Sequence, residues 1–156
     1  MINKFPITKE GLEKLRQELH KILTVERPKN IKAIEEARSH GDLAENAEYH
    51  AAKERQSFLE AKINELEMAI SRSEVIEIDK GQTEKIVFGT TVELRKIANN
   101  RNVIYQLVGP YESDPENGKI SVTSPLGKAL IGKEEDDAVK VKTPGGVQDF
   151  EILEIK

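Results

Sequence analysis

The stretch "ARSHGDLAENAEYHAAKE", residues 37–54, decides the fold. The chain reads as helical on both sides, and His40-Gly41 breaks the pattern. Toward the N-terminus Leu12, Leu15, Leu19 and Ile22 recur at spacings of three and four, the apolar seam of a coiled coil. Thr8 reads as the N-cap of that helix, with Ile7 and Leu12 at the positions of a hydrophobic staple. Toward the C-terminus the same grammar returns in Ala44, Ala47, Ala51, Phe58, Leu59, Ile63, Leu66 and Ile70.

Residues level with each other in an antiparallel hairpin have numbers that sum to a constant. Leu12 with Ile70, Leu19 with Ile63 and Ile31 with Ala51 sum to 82. Leu15 with Leu66, Ile22 with Leu59, Ile34 with Ala47 and Ala37 with Ala44 sum to 81. Half of that value falls at His40-Gly41, where glycine permits a tight reversal. Each helix, about 30 residues at 1.5 Å rise, makes a rod on the order of 45 Å long. Pro28 lies inside the first helix and removes a hydrogen bond, so a kink is expected there. The heptad phase also breaks between Ile22 and Ile31.

Past Asp79 the period changes from helical to alternating, with Gly81 in a polar connector, so two domains are expected, 1–78 and 79–156. "TTVELRKI" and "NVIYQLVG" read as strands around Asn99-Asn100, and "KISV" as another. Ser124 as N-cap and Pro125 at the first helical position start one short helix. A last hairpin turns at Pro144-Gly145-Gly146. The fold class is α+β, an antiparallel two-helix coiled-coil hairpin followed by a small antiparallel sheet with one short helix.

Composition narrows the chemistry. There is no cysteine, which excludes disulfides, thiol catalysis and thiolate zinc sites. Three scattered histidines do not make a His-rich metal site. The N-terminus has no apolar signal core and no later run suggests a membrane span, so a cytoplasmic protein with no membrane partner is expected. The net charge of −4 argues against broad nucleic-acid binding. Any contact with nucleic acid should be local.

Asp42 and Glu45 stand three apart just past the bend, so both carboxylates can face one way. Asp-x-x-Glu also resembles a capping box, which would give the two acids a structural role at a helix start. The functional alternative is a partial metal site. Magnesium takes oxygen ligands octahedrally and is commonly held by one or two carboxylates plus substrate phosphates, so a second molecule would supply the remainder. Two-metal hydrolysis of a phosphodiester has that requirement.

The stretch 37–54, with "ERPKNIKAIEE" before it and "ISVTSPLGKALIGKEEDD" and "VKTPGG" after it, resembles the GreA/GreB family of bacterial transcript cleavage factors over essentially the whole chain. The modest basic patch and acidic balance favour the GreA branch. The resemblance implies a hairpin that enters the secondary channel of bacterial RNA polymerase. It also implies a C-terminal domain similar in fold to FKBP-type prolyl isomerases, docking at the channel rim. Asp42 and Glu45 would be the tip acids, at residues 40–48, that help the polymerase hold a second Mg²⁺ and hydrolyse the 3′ end of backtracked RNA. That ion would be shared with the polymerase and not held stably by the chain alone. The chain is then a monomeric activator of another enzyme's active centre.

Arg27, Lys29 and Lys32 stand roughly level with Lys53 and Arg55, a candidate basic patch for the extruded RNA, with a solvated charged face as the alternative. Asn46 and Glu48 could position water but read more simply as helix surface. Leu43 either meets the channel wall or covers the turn, and Tyr49 and His50 read as surface packing. Ser124 and Pro125 match the family's segment near the docking surface and also have a capping role. The acidic run 134–137 reads as a solvated loop. Two other functions stay open. One is prolyl isomerisation by the C-terminal half, for which the aromatic supply is thin; the other is channel binding without cleavage.

Overall fold

A computed structural model describes residues 4–77 and 84–156. The chain is α+β and divides into two compact units, Leu12–Arg72 and Met1–Gly11 with Ser73–Lys156. The boundary expected near Asp79 and the connector at Gly81 lie outside the described residues.

The first unit is the antiparallel helical hairpin. Its first limb is α1 (Lys9–Lys21), a π-turn at Ile22–Glu26 and α2 (Arg27–Ser39); its second limb is α3 (Ala47–Arg72). Thr8 caps α1 as expected, its Oγ1 accepting the Gly11 N–H at 3.0 Å. At the base of the hairpin Ile22, Leu59, Ile63 and Leu66 are buried, with Leu15 and Leu19 packed against them. Each fully buried Leu or Ile contributes about 1.5–3 kcal/mol, so this seam holds the limbs together.

Beyond Ile22 the seam departs from expectation by one residue. Asn30 is 6% exposed while Ile31 is 47% exposed, and Ala52 rather than Ala51 is buried. Phe58, expected on the seam, is 58% exposed. The cause is the π-turn. Inward positions run Ile22, Glu26, Asn30 and Ile34, three steps of four residues, where three α-turns hold only about 10.8. The surplus residue is absorbed in one wider turn, in which the Arg27 N–H reaches back to the Ile22 carbonyl. Pro28 follows in the first turn of α2, where its missing N–H costs least. The irregularity expected at Pro28 is therefore a register change just before it. At the reversal, α3 starts at Ala47. Ala44 and Ala47 are both exposed, so the alanine pairs expected there do not form a buried seam.

The second unit holds β3 (Thr91–Lys96), β4 (Arg101–Val108), β5 (Lys119–Ser121), β6 (Ala138–Thr143) and β7 (Gly146–Ile155) in one sheet of order β5-β4-β3-β7-β6. Three of the pairings are antiparallel, as the alternation suggests, but β5 lies parallel to β4. Period-two alternation buries Val92 and Leu94 of β3, and Val139 and Val141 of β6, on one face. A bulge on β7 opposite Glu93 and Leu94 lets Ile152 and Ile155, three apart, both join the core. The short helix α4 (Pro125–Leu130) is capped by Ser124, whose Oγ accepts the Gly127 N–H at 3.1 Å. Gly127 is required there, since a Cβ would stand 2.1 Å from the Ser121 carbonyl oxygen. The run 134–137 is a loop, with Asp137 Oδ2 accepting the Glu134 N–H at 2.9 Å.

An element absent from the sequence reading is a two-stranded parallel sheet, β1 (Phe5–Ile7) with β2 (Ser73–Val75). The carboxylate of Glu112 fastens its first strand. It accepts the Thr8 N–H at 2.8 Å, the Thr8 hydroxyl at 2.5 Å and the Gly109 N–H at 2.9 Å.

Candidate functional site at the hairpin reversal

Local backbone preference makes the loop between α2 and α3. The His40 N–H donates to the Ala37 carbonyl and the Gly41 N–H to that of Arg38, both at 3.2 Å, which closes α2. Gly41 takes the left-handed conformation at φ 74°, common for the residue after a helix end. Asp42 follows at φ 34°, a region that Asp tolerates better than most side chains. The Glu45 N–H then donates to the Asp42 carbonyl at 3.3 Å, which defines a turn with its end Cα atoms about 7 Å apart or less. The two acids are thus the end residues of one turn.

Neither acid caps α3. That role belongs to Asn46, whose Oδ1 accepts the Tyr49 N–H at 3.1 Å. The capping box suggested by Asp42 and Glu45 is therefore not formed. Both acids are exposed, and neither carboxylate has a hydrogen-bond or ion-pair partner among the described residues. A carboxylate pair that caps no helix has its lone pairs open to an outside ligand. As a donor set it fits a hard cation such as Mg²⁺, but two carboxylates fill only part of an octahedral shell. No group of three His, Asp or Glu residues close enough to hold a metal occurs among the described residues.

Around the acids, Asn46 Nδ2 donates to the Ala37 carbonyl at 2.7 Å and His50 Nε2 lies 3.1 Å from that of Ala44. His40 Nε2 and Glu48 Oε2 are 3.7 Å apart, and Arg38 lies 6.0 Å over the Tyr49 ring. Asn46 and His50, read from sequence as helix surface, hold the loop instead. A signal for Asn46 was present, because Asn is a strong N-cap and a good helical run begins right after it. His50 had none, since its partner is a loop carbonyl that only the fold brings near.

The five basic residues do not form one free cluster. Arg27 Nε pairs with Glu60 Oε1 at 3.1 Å, and Arg55 Nη2 with Glu26 Oε2 at 3.3 Å while its guanidinium covers Phe58 at 5.2 Å. Lys53 Nζ donates to Gln56 Oε1 at 2.8 Å. Lys29 and Lys32 are exposed without a partner among the described residues. Lys29 and Arg55 line one groove of 450 Å³ between the helices together with Glu26, Glu48, Asn30, Ala33, Ala51 and Ala52, so its two cations share it with two acids. Ser124 and Pro125 are the cap and first residue of α4.

Comparison with known proteins agrees with both units. Residues 5–75 match the family described as transcription elongation factor, N-terminal, and residues 81–156 match transcription elongation factor, GreA/GreB, C-term. The chain is 51% identical over 156 residues to transcription elongation factor GreA of Pelobacter propionicus, covering 100% of this chain and 99% of that one. It is 52% identical to the GreA of Neisseria meningitidis serogroup B, covering 99% of each. Among solved structures, GreA factor homolog 1 (Gfh1) of Thermus thermophilus is similar at 32% identity over 99% of this chain and 99% of that one, with a TM-score of 0.44. With both family models matched and half of all residues shared with full-length relatives, the chain belongs to the GreA/GreB family of transcription elongation factors.

Proposed function

We propose that this elongation factor stimulates hydrolysis of backtracked nascent RNA by bacterial RNA polymerase, with its hairpin inserted through the secondary channel and its sheet-bearing unit docked at the rim. The observation that carries the proposal is the pair of exposed carboxylates of Asp42 and Glu45 at the ends of one turn, without a partner among the described residues. Bound between these acids and the polymerase's own ligands, Mg²⁺ would supply an activated water for phosphodiester hydrolysis. The chain's part is to bring two oxygen donors to that place and hold them.

The same donor set explains why the chain would not be an enzyme by itself. Two carboxylates leave the shell incomplete, so in this reading the polymerase supplies the remaining ligands. Lys29 and Arg55 along the inter-helix groove offer cations for phosphates of the extruded RNA, Arg55 at the cost of its pair with Glu26. Ser124 and Pro125, at the start of α4, are the docking residues in this reading. Loss or rearrangement of the tip acids would suggest a factor that only blocks the channel; Asp42 and Glu45 are both present, which favours activation.

The test is a stalled, backtracked polymerase complex with labelled RNA in Mg²⁺ buffer. Adding the protein should shorten the RNA from its 3′ end. Tight binding with no shortening would sink the proposal in favour of a channel blocker.

A further inference from the structure

Asp42 and Glu45 sit in a loop where their carboxylates have no hydrogen-bond or ion-pair partner among the described residues, yet a metal ligand is useful only when its oxygens stay within a fraction of an ångström of one place. We infer that Asn46 and His50 are positioning residues that lock the acidic loop, an inference that deepens the cleavage reading and rests on it. Neither touches RNA or metal in this role.

The Asn46 amide is used at both ends. Its Oδ1 accepts the Tyr49 N–H at 3.1 Å in the first turn of α3, which fixes Nδ2 toward the Ala37 carbonyl at 2.7 Å in the last turn of α2. One side chain thus ties the end of one helix to the start of the next. The Ala37 oxygen also accepts the His40 N–H at 3.2 Å, so the clamp sits in the last turn of α2, on the carbonyl that closes it. Ala37 is 2% exposed and Asn46 is half-buried, so water competes poorly for this bond. His50 secures the middle of the loop. Its Nε2, as the N–H tautomer, donates to the Ala44 carbonyl at 3.1 Å. Ala44 lies inside the turn whose ends are Asp42 and Glu45, and Glu45 is its neighbour. The imidazole is braced by the Tyr49 ring, 5.8 Å away and inclined at 63°. The loop is held at its exit by Asn46 and at its centre by His50, while its entry is set by Gly41.

Four variants of the full chain separate locking from capping: Asn46→Ser, His50→Leu, His50→Gln and, for the acids, Asp42→Asn. Serine caps a helix about as well as asparagine but is too short to reach Ala37, so Asn46→Ser removes the clamp and keeps the cap. Glutamine carries an amide donor that can replace Nε2; leucine does not. The readouts are ¹⁵N order parameters of residues 42–45 and RNA shortening at saturating and half-saturating protein.

Asn46→Ser and His50→Leu should lower the order parameters from about 0.85 to below about 0.6. They should also cut the maximal shortening rate by about tenfold, the usual size for an outer residue that orients a ligand. The concentration giving half effect should not change, and His50→Gln should restore both values. Parental order parameters in Asn46→Ser and His50→Leu overturn the lock whatever the cleavage rate. A loosened loop that still cleaves at the parental maximum overturns the positioning role. Loss in His50→Leu that His50→Gln does not repair assigns the effect to ring packing and overturns the hydrogen bond. Parental shortening by Asp42→Asn would instead overturn the cleavage reading, with the order parameters still deciding the lock.

Discussion

Asn30 and Ala52 face each other across the hairpin, the Asn30 Nδ2 donating to the Ala52 carbonyl at 2.9 Å in a place where both residues are over nine-tenths buried. A lone buried amide on an apolar seam ties one level of one helix to one level of the other, at some expense of stability. Asn30→Ala should destabilise the protein by about 1 kcal/mol, the ordinary net value of such a bond. Asn30→Leu should place a large side chain against the small Ala52 and cost about 1–3 kcal/mol by overpacking. Urea unfolding followed at 222 nm checks both. An Asn30→Leu protein more stable than the parent would show that this level has room to spare.

The tip acids should matter for activity and hardly at all for folding. Neither carboxylate has a partner among the described residues, so Asp42→Asn and Glu45→Gln should change unfolding free energy by no more than about 0.5 kcal/mol. Each should lower RNA shortening at least about tenfold with polymerase binding retained. Asp42→Ala is the poorer probe, because φ 34° adds about 1–2 kcal/mol of strain for alanine. Full activity in either conservative variant would leave the acids without a task.

Reach can be tested by removing residues 15–21 and 60–66, one heptad from each limb. The Leu12 and Ile70 level then adjoins the Ile22 and Leu59 level, and seam spacings survive. The hairpin shortens by about 10 Å with the reversal and its Asn46 clamp intact. Since Mg²⁺ needs its oxygens at roughly 2.1 Å, the shortened protein should bind polymerase and fail to shorten RNA. Parental cleavage by a helical, polymerase-bound variant would contradict delivery by a rod of set length.

The π-turn makes a prediction of its own. Deleting Val25, which is 52% exposed, should convert Ile22–Glu26 to ordinary α-helix, because the surplus residue is gone and the inward spacing falls to three. Pro28 would then interrupt a continuous helix, at about 3 kcal/mol. The deletion alone should therefore lower the melting temperature, and adding Pro28→Ala should recover it. Failure of the double variant to recover would mean that the wide turn supports packing beyond its phase correction.

The base of the two seams, Leu15, Leu19 and Ile22 against Leu59, Ile63 and Leu66, the reversal at His40-Gly41 and the caps at Thr8 and Ser124 were legible in the chain because each depends on neighbours within one or two helical turns. The alternation of Val92 with Leu94 and of Val139 with Val141 was legible for the same reason. The numbering rule for the hairpin worked because α-helices advance at a constant rate, and it slipped where that rate changes. Nothing local distinguishes Ile31 from Asn30 as the inward residue. The choice depends on how the Ile22–Glu26 turn adds its extra residue against α3, a cost settled between two helices.

The site divides the same way. Sequence by itself determined that two acids stand three apart at a bend between long amphipathic helices, and that no cysteine or His cluster offers other chemistry. The cap of α3 by Asn46, which leaves the Asp42 and Glu45 carboxylates without a partner among the described residues, was written in the stretch after the bend; only the tertiary structure decided that the Ala37 and Ala44 carbonyls come within reach of Asn46 and His50. It likewise decided that β5 runs parallel to β4 and that β1 pairs with β2, where Phe5 lies opposite Ser73, 68 positions further along the chain. Hydrophobic period and capping preference are properties of a short stretch and are written into it. A hydrogen bond between distant residues is not, because its donor and acceptor meet only after the helices and strands have packed.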